Sequence, residues 1–191
     1  MHEESSRPAR GSHAPLVVLT IGHSTRSLDE LAELLRSHGV ERLVDVRTAP
    51  GSRRMPHFAR ASLEVALPER GVEYLHMPEL GGLRKPRPDS VNAGWRNDSF
   101  RGYADYMQTG DFQRGIDRLR ALAAAKTTAI MCAEAVPWRC HRSLIADALT
   151  VQDVEVRHIT GKVEPAAHRL TPFALVSNGH ITYPGTDTLP L

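Results

Sequence analysis

The chain has 191 residues, enough for one domain with a sizeable apolar core. It is 41% hydrophobic and 24% charged with a formal net charge of +2, which excludes a bulk electrostatic attraction to nucleic acid or membranes. Two cysteines cannot form a disulfide framework, and no stretch approaches the roughly 20 apolar residues of a membrane helix. We therefore expect a cytoplasmic protein with reduced thiols and no membrane partner.

The hydrophobic pattern predicts strands that alternate with helices. Residues 1–14 have no periodicity and predict a disordered N-terminal arm, so that residues 15–191 form the domain. Five apolar, β-branched segments predict strands at 16–21, 42–47, 72–76, 127–132 and 154–159. This alternation predicts a single α/β domain with a mostly parallel central sheet and helices on both faces.

Helices and a terminal hairpin are predicted from local signals. Ser27 and Glu30 form a capping-box pattern before a leucine stripe that Gly39 ends. An Asn-Gly pair at 178–179 between two short apolar segments predicts a C-terminal β hairpin. The other predicted helices span about 100–108, about 112–125 and a stretch that begins just after Cys140.

Polar side chains cluster at the ends of four predicted strands and at the start of the last helix. In chain order they are His23, Asp45, Arg47, Cys132, Glu134, Cys140, His141, Arg142 and His158. The carboxyl ends of parallel strands meet at one edge of a sheet, where open α/β proteins bind ligands. We therefore predict one site at this edge, and an enzyme rather than an inert fold.

These residue types suggest nucleophilic and acid–base chemistry. The candidates are Cys140 or Cys132 as nucleophile, His141 or His23 as base, and Glu134 or Asp45 as general acid or base. Cys140 lies beside cationic residues at a helix start, and we expect its thiol pKa to lie below the usual value of about 8.5.

Arginines near this edge are candidates for binding an anionic substrate, and they are Arg47, Arg53, Arg54 and Arg142. The alternative interpretation is structural ion pairing, of Arg47 with Asp45 and of Arg142 with Glu134. If Arg142 waits in an open cleft for a ligand, Arg142→Ala should lower the free energy of unfolding by less than about 1.5 kcal/mol.

The same thiols and imidazoles could instead bind a metal ion. The candidate ligands are Cys132, Cys140, His141 and His158, with Glu134 or His23 as further donors, and they suit zinc or iron. The two cysteines are too far apart in sequence for a short Cys-x-x-Cys knuckle, so a metal stays an alternative. No other cofactor is indicated, since phosphate-binding and dinucleotide-binding glycine motifs are absent from the sequence.

Five motifs in order resemble a bacterial family. They are TIGHSTR (20–26), DVRTAPGSRRMPHF (45–58), ELGG (79–82), CAE with CHR (132–142) and RHI (157–159). Together they resemble the family called domain of unknown function 488, over about residues 20–169. The resemblance implies that Gly22, Pro50 and the nine polar residues at the strand ends occupy motif positions of the family. The family's name assigns no activity to them.

A weaker similarity of architecture is to rhodanese-like domains, in which a cysteine in a loop over a helix N-terminus holds a persulfide. The segment after Cys132 departs from that pattern, because Glu134 would repel an anion and bulky Pro137 and Trp138 replace small residues. Sulfur transfer is therefore an alternative only.

The leading hypothesis is a hydrolase or group transferase that acts on an anionic substrate such as a nucleotide or nucleic acid. A metal- or haem-binding module is a second hypothesis, and metal content would distinguish it. A non-catalytic nucleic-acid-binding protein is a third, which would show strongly salt-dependent binding without a product.

Overall fold

The computed structural model describes residues 14–51 and 55–185. Within these ranges the strands are β1 Val17–Gly22, β2 Arg42–Asp45, β3 Glu73–His76, β4 Thr128–Cys132, β5 Glu155–Ile159, β6 Ala166–Ala167, β7 Leu175–Ser177 and β8 His180–Thr182. The helices are α1 Leu28–Ser37, α2 Arg60–Ala66, α3 Asp98–Tyr106, α4 Gly110–Ala125 and α5 Arg142–Val151. None of the helices in the described ranges is long and apolar enough to cross a membrane.

Six strands form one sheet in the order β3-β2-β4-β1-β5-β6. Strands β1 to β5 run parallel to one another, and only β6 is antiparallel to its neighbour β5. Strands β7 and β8 pair separately as an antiparallel hairpin. The predicted single α/β domain, mostly parallel sheet and C-terminal hairpin are therefore confirmed, and the five predicted strands agree with the structure to within two residues at each end.

Helices cover both faces of the sheet, and two apolar cores result. Residues of α1 and α2 pack with Leu19 and Ile21 of β1 on one face. Residues of α3, α4 and α5 pack with Val18 of the same strand on the other. Because side chains alternate along a strand, both faces of β1 require apolar residues, and the strand has an almost continuous apolar sequence.

The predicted start of α1 is also confirmed. Ser27 Oγ accepts a hydrogen bond of 3.1 Å from the Glu30 backbone N–H, and Glu30 Oε2 accepts one of 2.6 Å from the Ser27 N–H. Gly39 follows the helix with φ of 66°, a left-handed conformation that glycine adopts without strain. Helix α2 was not predicted from sequence, because only Leu63 in it is fully buried and no side-chain cap precedes it.

The fold brings the carboxyl ends of β1, β2 and β4 side by side, with β4 in the middle. The chain then runs from β4 to α5 across the end of β1, so closely that a Cβ on Gly22 would lie 1.9 Å from the Glu134 carbonyl oxygen. Two backbone hydrogen bonds fix this crossing, from His23 N to Cys132 O and from Ser24 N to Ala133 O. A glycine is therefore required at the end of β1. The predicted disordered arm lies outside the described residues, apart from Ala14.

Candidate functional site

A cleft of 640 Å³ opens at the carboxyl ends of these strands. Among the site residues that the sequence singled out, its wall includes Arg47, Cys132, Glu134, Cys140 and His141, together with Arg139. A cleft of this size is typical of sites for small molecules. The predicted convergence at the strand ends thus holds for part of the candidate set.

Cys132, Cys140 and His141 meet at the bottom of this cleft, and we call them the thiol–imidazole centre. Both cysteines are free and buried. The His141 Nδ1 atom lies 3.7 Å from Cys140 Sγ and 4.0 Å from Cys132 Sγ. On the other side of the ring, His141 Nε2 lies 3.1 Å from the Val46 carbonyl oxygen. A carbonyl oxygen can only accept, so Nε2 holds the proton of the neutral ring and Nδ1 offers its lone pair to the thiols.

The two thiols differ in acidity. A hydrogen bond from the Cys140 thiol, aided by His141 and the Ala133 N–H, holds the pKa of Cys132 far below its ordinary value despite burial. The same hydrogen bond and burial raise the pKa of Cys140. The expectation that Cys140 is the acidic thiol is therefore wrong, because their mutual hydrogen bond lowers the pKa of Cys132 and raises the pKa of Cys140.

Arg142 is a structural residue and not an anion-binding one. Its side chain is fully buried behind the cleft, and Nη1 donates to the carbonyl oxygens of Ile21 at 2.6 Å and Glu134 at 3.1 Å. Nη2 donates to the Ala135 carbonyl oxygen at 3.3 Å. It forms no ion pair with a carboxylate of the described residues, so the expected pair with the Glu134 side chain is wrong as well. Arg142 instead fastens the β4–α5 crossing to β1.

Asp45 and Arg47 form the structural ion pair that was the alternative interpretation. The Asp45 carboxylate is fully buried and accepts bidentate hydrogen bonds of 2.8 and 2.5 Å from the Arg47 guanidinium. The Tyr74 hydroxyl donates to the same carboxylate at 2.7 Å. With its oxygens occupied and away from the cleft wall, Asp45 is not placed to act as a general acid or base.

His23 belongs to the same structural network. Its Nδ1 donates to the Ser24 carbonyl oxygen at 3.0 Å, so Nε2 accepts from Arg47 Nη1 at 3.3 Å. The ring stacks on Phe58 with centroids 4.1 Å apart. Burial, followed by the Arg47 charge, lowers the pKa of His23, which keeps the ring neutral. His23 lies outside the cleft wall, whereas the His141 imidazole lines it.

Glu134 and Arg139 are the exposed charged side chains of the cleft wall next to the thiols. The Glu134 carboxylate accepts a long hydrogen bond of 3.5 Å from the Val136 N–H. The Arg139 guanidinium has no partner among the side chains of residues 14–51 and 55–185. The sequence analysis did not name Arg139 as an anion-binding candidate. Of the two arginines between β4 and the first turn of α5, Arg139 is exposed to solvent and Arg142 is buried. Arg53 and Arg54 lie outside the described residues.

His158 does not join the thiol–imidazole centre. Its Nδ1 bonds with Thr20 Oγ1 at 2.8 Å and its Nε2 bonds with His168 Nδ1 at 3.0 Å. Both ring nitrogens are used, so the prediction of His158 as a metal ligand is wrong. Among the described residues, the group placed so that it could hold a metal ion is Cys132, Cys140 and His141, whose donor atoms all lie within 4.8 Å of one another.

The loop after β3 completes the cleft. A Cβ on Gly82 would lie 3.0 Å from His141 Nδ1, so the absence of a side chain there leaves room for the imidazole. The next residue, Leu83, has φ of 61° and is 83% exposed at the cleft wall. Ser24, on the other wall, has φ of 51°. Left-handed non-glycine residues are uncommon and concentrate at functional sites, which supports a functional role for this cleft.

Comparison with known proteins identifies the family of the chain. The family described as domain of unknown function DUF488 matches residues 27–149, more than half of the chain. The chain belongs to this family. The matched DUF488 segment contains Gly82 and the whole thiol–imidazole centre, whereas β1 and β5 lie outside it. No curated protein and no solved structure matches the chain.

Proposed function

We propose that this DUF488 protein is an enzyme that hydrolyses, or transfers a group from, a small anionic substrate, with the Cys132 thiolate as its nucleophile. The observation that carries the proposal is the thiol–imidazole centre itself. Cys132 combines a place on the cleft wall, a lowered pKa and an unprotonated imidazole nitrogen 4.0 Å away. Cysteine nucleophiles are activated in this way, by a lowered pKa and an adjacent base.

Each neighbour has a role in this chemistry. The lone pair of His141 Nδ1 takes the proton of the Cys132 thiol, and the resulting thiolate forms a bond to an electrophilic atom of the substrate as the bond to the leaving group breaks. Nδ1 then returns this proton to the leaving group, while Nε2 keeps its hydrogen bond to the Val46 carbonyl oxygen. Glu134, exposed on the same wall, is the candidate to activate water for a hydrolytic second step.

An anionic substrate is proposed from the charges around the cleft. Arg139 is exposed on the wall, and the buried Arg142 cation lies behind the thiols without a carboxylate partner among the described residues, whereas the charge of Arg47 is neutralised by Asp45. A cation in a cleft with low-dielectric walls raises the local concentration of anions. The volume of 640 Å³ suits a molecule of nucleotide size rather than a long nucleic acid strand.

The test measures the reactivity of each cysteine without knowledge of the substrate. The native protein is treated with iodoacetamide at a series of pH values, and mass spectrometry quantifies the alkylation of Cys132 and Cys140 separately. We expect Cys132 to react with a midpoint pH below the model thiol value of about 8.5, and Cys140 to react slowly.

Two variants serve as matched controls. Cys140→Ser keeps a hydroxyl that donates to the thiolate and should leave the Cys132 midpoint low, whereas Cys140→Ala removes the donor and should raise it. A Cys132 midpoint at or above that of a model thiol in the folded wild-type protein would eliminate Cys132 as the nucleophile.

A further inference from the structure

The thiol–imidazole centre has the dimensions of a tetrahedral metal site. Zinc binds cysteine sulfur at about 2.3 Å and histidine nitrogen at about 2.0–2.1 Å, so that neighbouring sulfur and nitrogen ligands of one ion lie roughly 3.6 Å apart. The two sulfur-to-nitrogen distances here are 3.7 and 4.0 Å. Small side-chain adjustments would therefore let Cys132, Cys140 and His141 share one ion.

The orientation of His141 fits a metal ligand. Histidines that bind metals donate their other ring N–H to a backbone carbonyl or a carboxylate, which fixes the tautomer and turns the free lone pair toward the ion. His141 has this arrangement, with Nε2 at 3.1 Å from the Val46 carbonyl oxygen and Nδ1 at 3.7 and 4.0 Å from the two sulfur atoms. Gly82 leaves the ring its space, since a Cβ there would press on Nδ1.

The cleft provides the fourth coordination position. The three donors lie at the wall of an open 640 Å³ cleft, so a water or a substrate atom could complete a tetrahedron from that side. Three protein ligands and one open position are typical of catalytic zinc sites, whereas structural sites use four protein ligands. Two thiolates and one imidazole select zinc over the harder cations, because soft sulfur ligands disfavour magnesium and calcium.

We infer that Cys132, Cys140 and His141 bind one zinc ion with its fourth position open to the cleft. Binding exchanges two thiol protons for the ion, so that two Cys–SH groups and Zn²⁺ give two Zn–S bonds and release two protons. The inference concerns the same thiols as the proposed function. In the zinc-bound form, the proposed nucleophile is blocked by the ion. While zinc holds both sulfurs, Cys132 has no free thiolate to attack a substrate.

The experiment uses the full chain, reduced and stripped with a chelator, and cobalt(II) as a spectroscopic probe followed by zinc. We expect one cobalt per chain, with visible d–d bands of tetrahedral geometry and a thiolate-to-cobalt charge-transfer band whose intensity corresponds to two thiolates. One equivalent of zinc should abolish these bands, because a tetrahedral site with thiolate ligands binds zinc more tightly than cobalt.

Variants locate the site. Cys132→Ser, Cys140→Ser and His141→Gln should each weaken cobalt binding by more than the roughly 10-fold that is lost when a hydrogen-bond partner of a metal ligand is removed. His158→Gln is the control, because both nitrogens of His158 are used elsewhere and cobalt binding should be unchanged. Should a ligand variant fail to fold, the charge-transfer band of the wild-type protein still counts the thiolates. Tetrahedral bands without thiolate charge transfer, or no binding at all, would overturn the inference.

Alkylation of Cys132 separates this inference from the proposed function. Zinc should slow iodoacetamide alkylation of Cys132 by at least about 10-fold, and a chelator should restore the rate. A protein that binds no cobalt but has an acidic Cys132 refutes the zinc site and keeps the nucleophile. A protein that binds cobalt through both thiolates, but whose metal-free Cys132 reacts as an ordinary thiol, keeps the zinc site and refutes the nucleophile.

Discussion

Two polar clusters contact α5, and they differ in how completely their atoms are paired. At the middle of the helix, the fully buried Asp147 carboxylate accepts hydrogen bonds from His168 Nε2, from the Tyr183 hydroxyl and from both the N–H and the hydroxyl of Thr171. At its start, the thiol–imidazole centre faces a cleft. We call the first cluster the Asp147 network.

The Asp147 network continues through His168 to His158 and ends at Thr20 in β1, and each ring nitrogen along it has a partner. A satisfied buried network of this kind ties the C-terminal segment to the sheet and has no free atom for a substrate. In the thiol–imidazole centre, the polar atoms contact mainly one another and the open side is left to a ligand. The contrast predicts that one cluster determines stability and the other reactivity.

The largest effect should come from Asp147→Asn. The amide would direct N–H groups at the Tyr183 and Thr171 donors, and we expect a loss of roughly 3–5 kcal/mol in the free energy of unfolding, measured with urea. Cys132→Ser is the comparison in the other cluster and should cost less than about 1.5 kcal/mol. Equal losses in the two variants would remove the division between a stabilising and a reactive cluster.

Arg142→Met should have the next largest effect on the free energy of unfolding. It tests whether Arg142 stabilises the fold or binds an anion in the cleft. The substitution keeps the apolar stem but leaves the carbonyl oxygens of Ile21 and Glu134 without their donor. We expect a loss of about 2–3 kcal/mol in urea unfolding, more than an arginine waiting for a ligand would cost. An unchanged stability, combined with lost stabilisation by phosphate, would return Arg142 to the role of anion-binding residue.

A smaller effect on the free energy of unfolding should come from pH, through His158 of the Asp147 network. Burial, with help from the nearby His168 and Arg142 charges, lowers the pKa of His158 from 6.5 to about 4. Between these two pH values the unfolded chain binds a proton that the folded chain does not, so stability falls as the pH is lowered from about 6.5 to about 4. The Asp147 charge acts in the opposite direction but is the weaker influence. Urea unfolding across this range should show a shallower slope for His158→Gln than for the wild type.

The smallest effect concerns the charges of the cleft wall. Iodoacetate is anionic and iodoacetamide neutral, so the ratio of their rates with Cys132 reports the local potential. We expect Arg139→Ala to lower this ratio and Glu134→Gln to raise it, each by roughly two- to fivefold at low salt and less at high salt. Arg118→Ala is the control that should leave the ratio unchanged, because Arg118 is not part of the cleft wall and forms an ion pair with Glu79.

The sequence predicted what is local and missed what depends on distant packing. The strands, the α1 cap and the hairpin follow from patterns within a few residues, and the structure confirms them. Cys132, Cys140 and His141 were found together because one segment contains all three. The sequence did not predict which of the two thiols has the lower pKa, because the His141 ring is oriented by Val46, 95 residues away in the chain.

Burial explains the other errors. Arg47 and Arg142 look alike in sequence, as arginines at the edge of the predicted site, and only the structure shows that Arg142 is 1% exposed and bonded to carbonyl oxygens. His158 was a plausible ligand by type, but His168 and Thr20 occupy it. Side-chain direction and solvent exposure at a strand end are set by neighbours from other strands, which no local pattern records.

The position of β1 has a consequence for how the protein folds during synthesis. Its hydrogen-bonding partners on both sides, β4 and β5, are made more than a hundred residues later, and the bond from Thr20 to His158 joins residues 138 apart. Until β4 leaves the ribosome, β1 has no native neighbour, and its second edge stays open until β5 follows. Strands β2 and β3 can pair first, while β1 inserts late between two newly made strands. Such long-range closure makes folding slow, and the exposed β1 is the segment most in need of protection by a chaperone in the meantime.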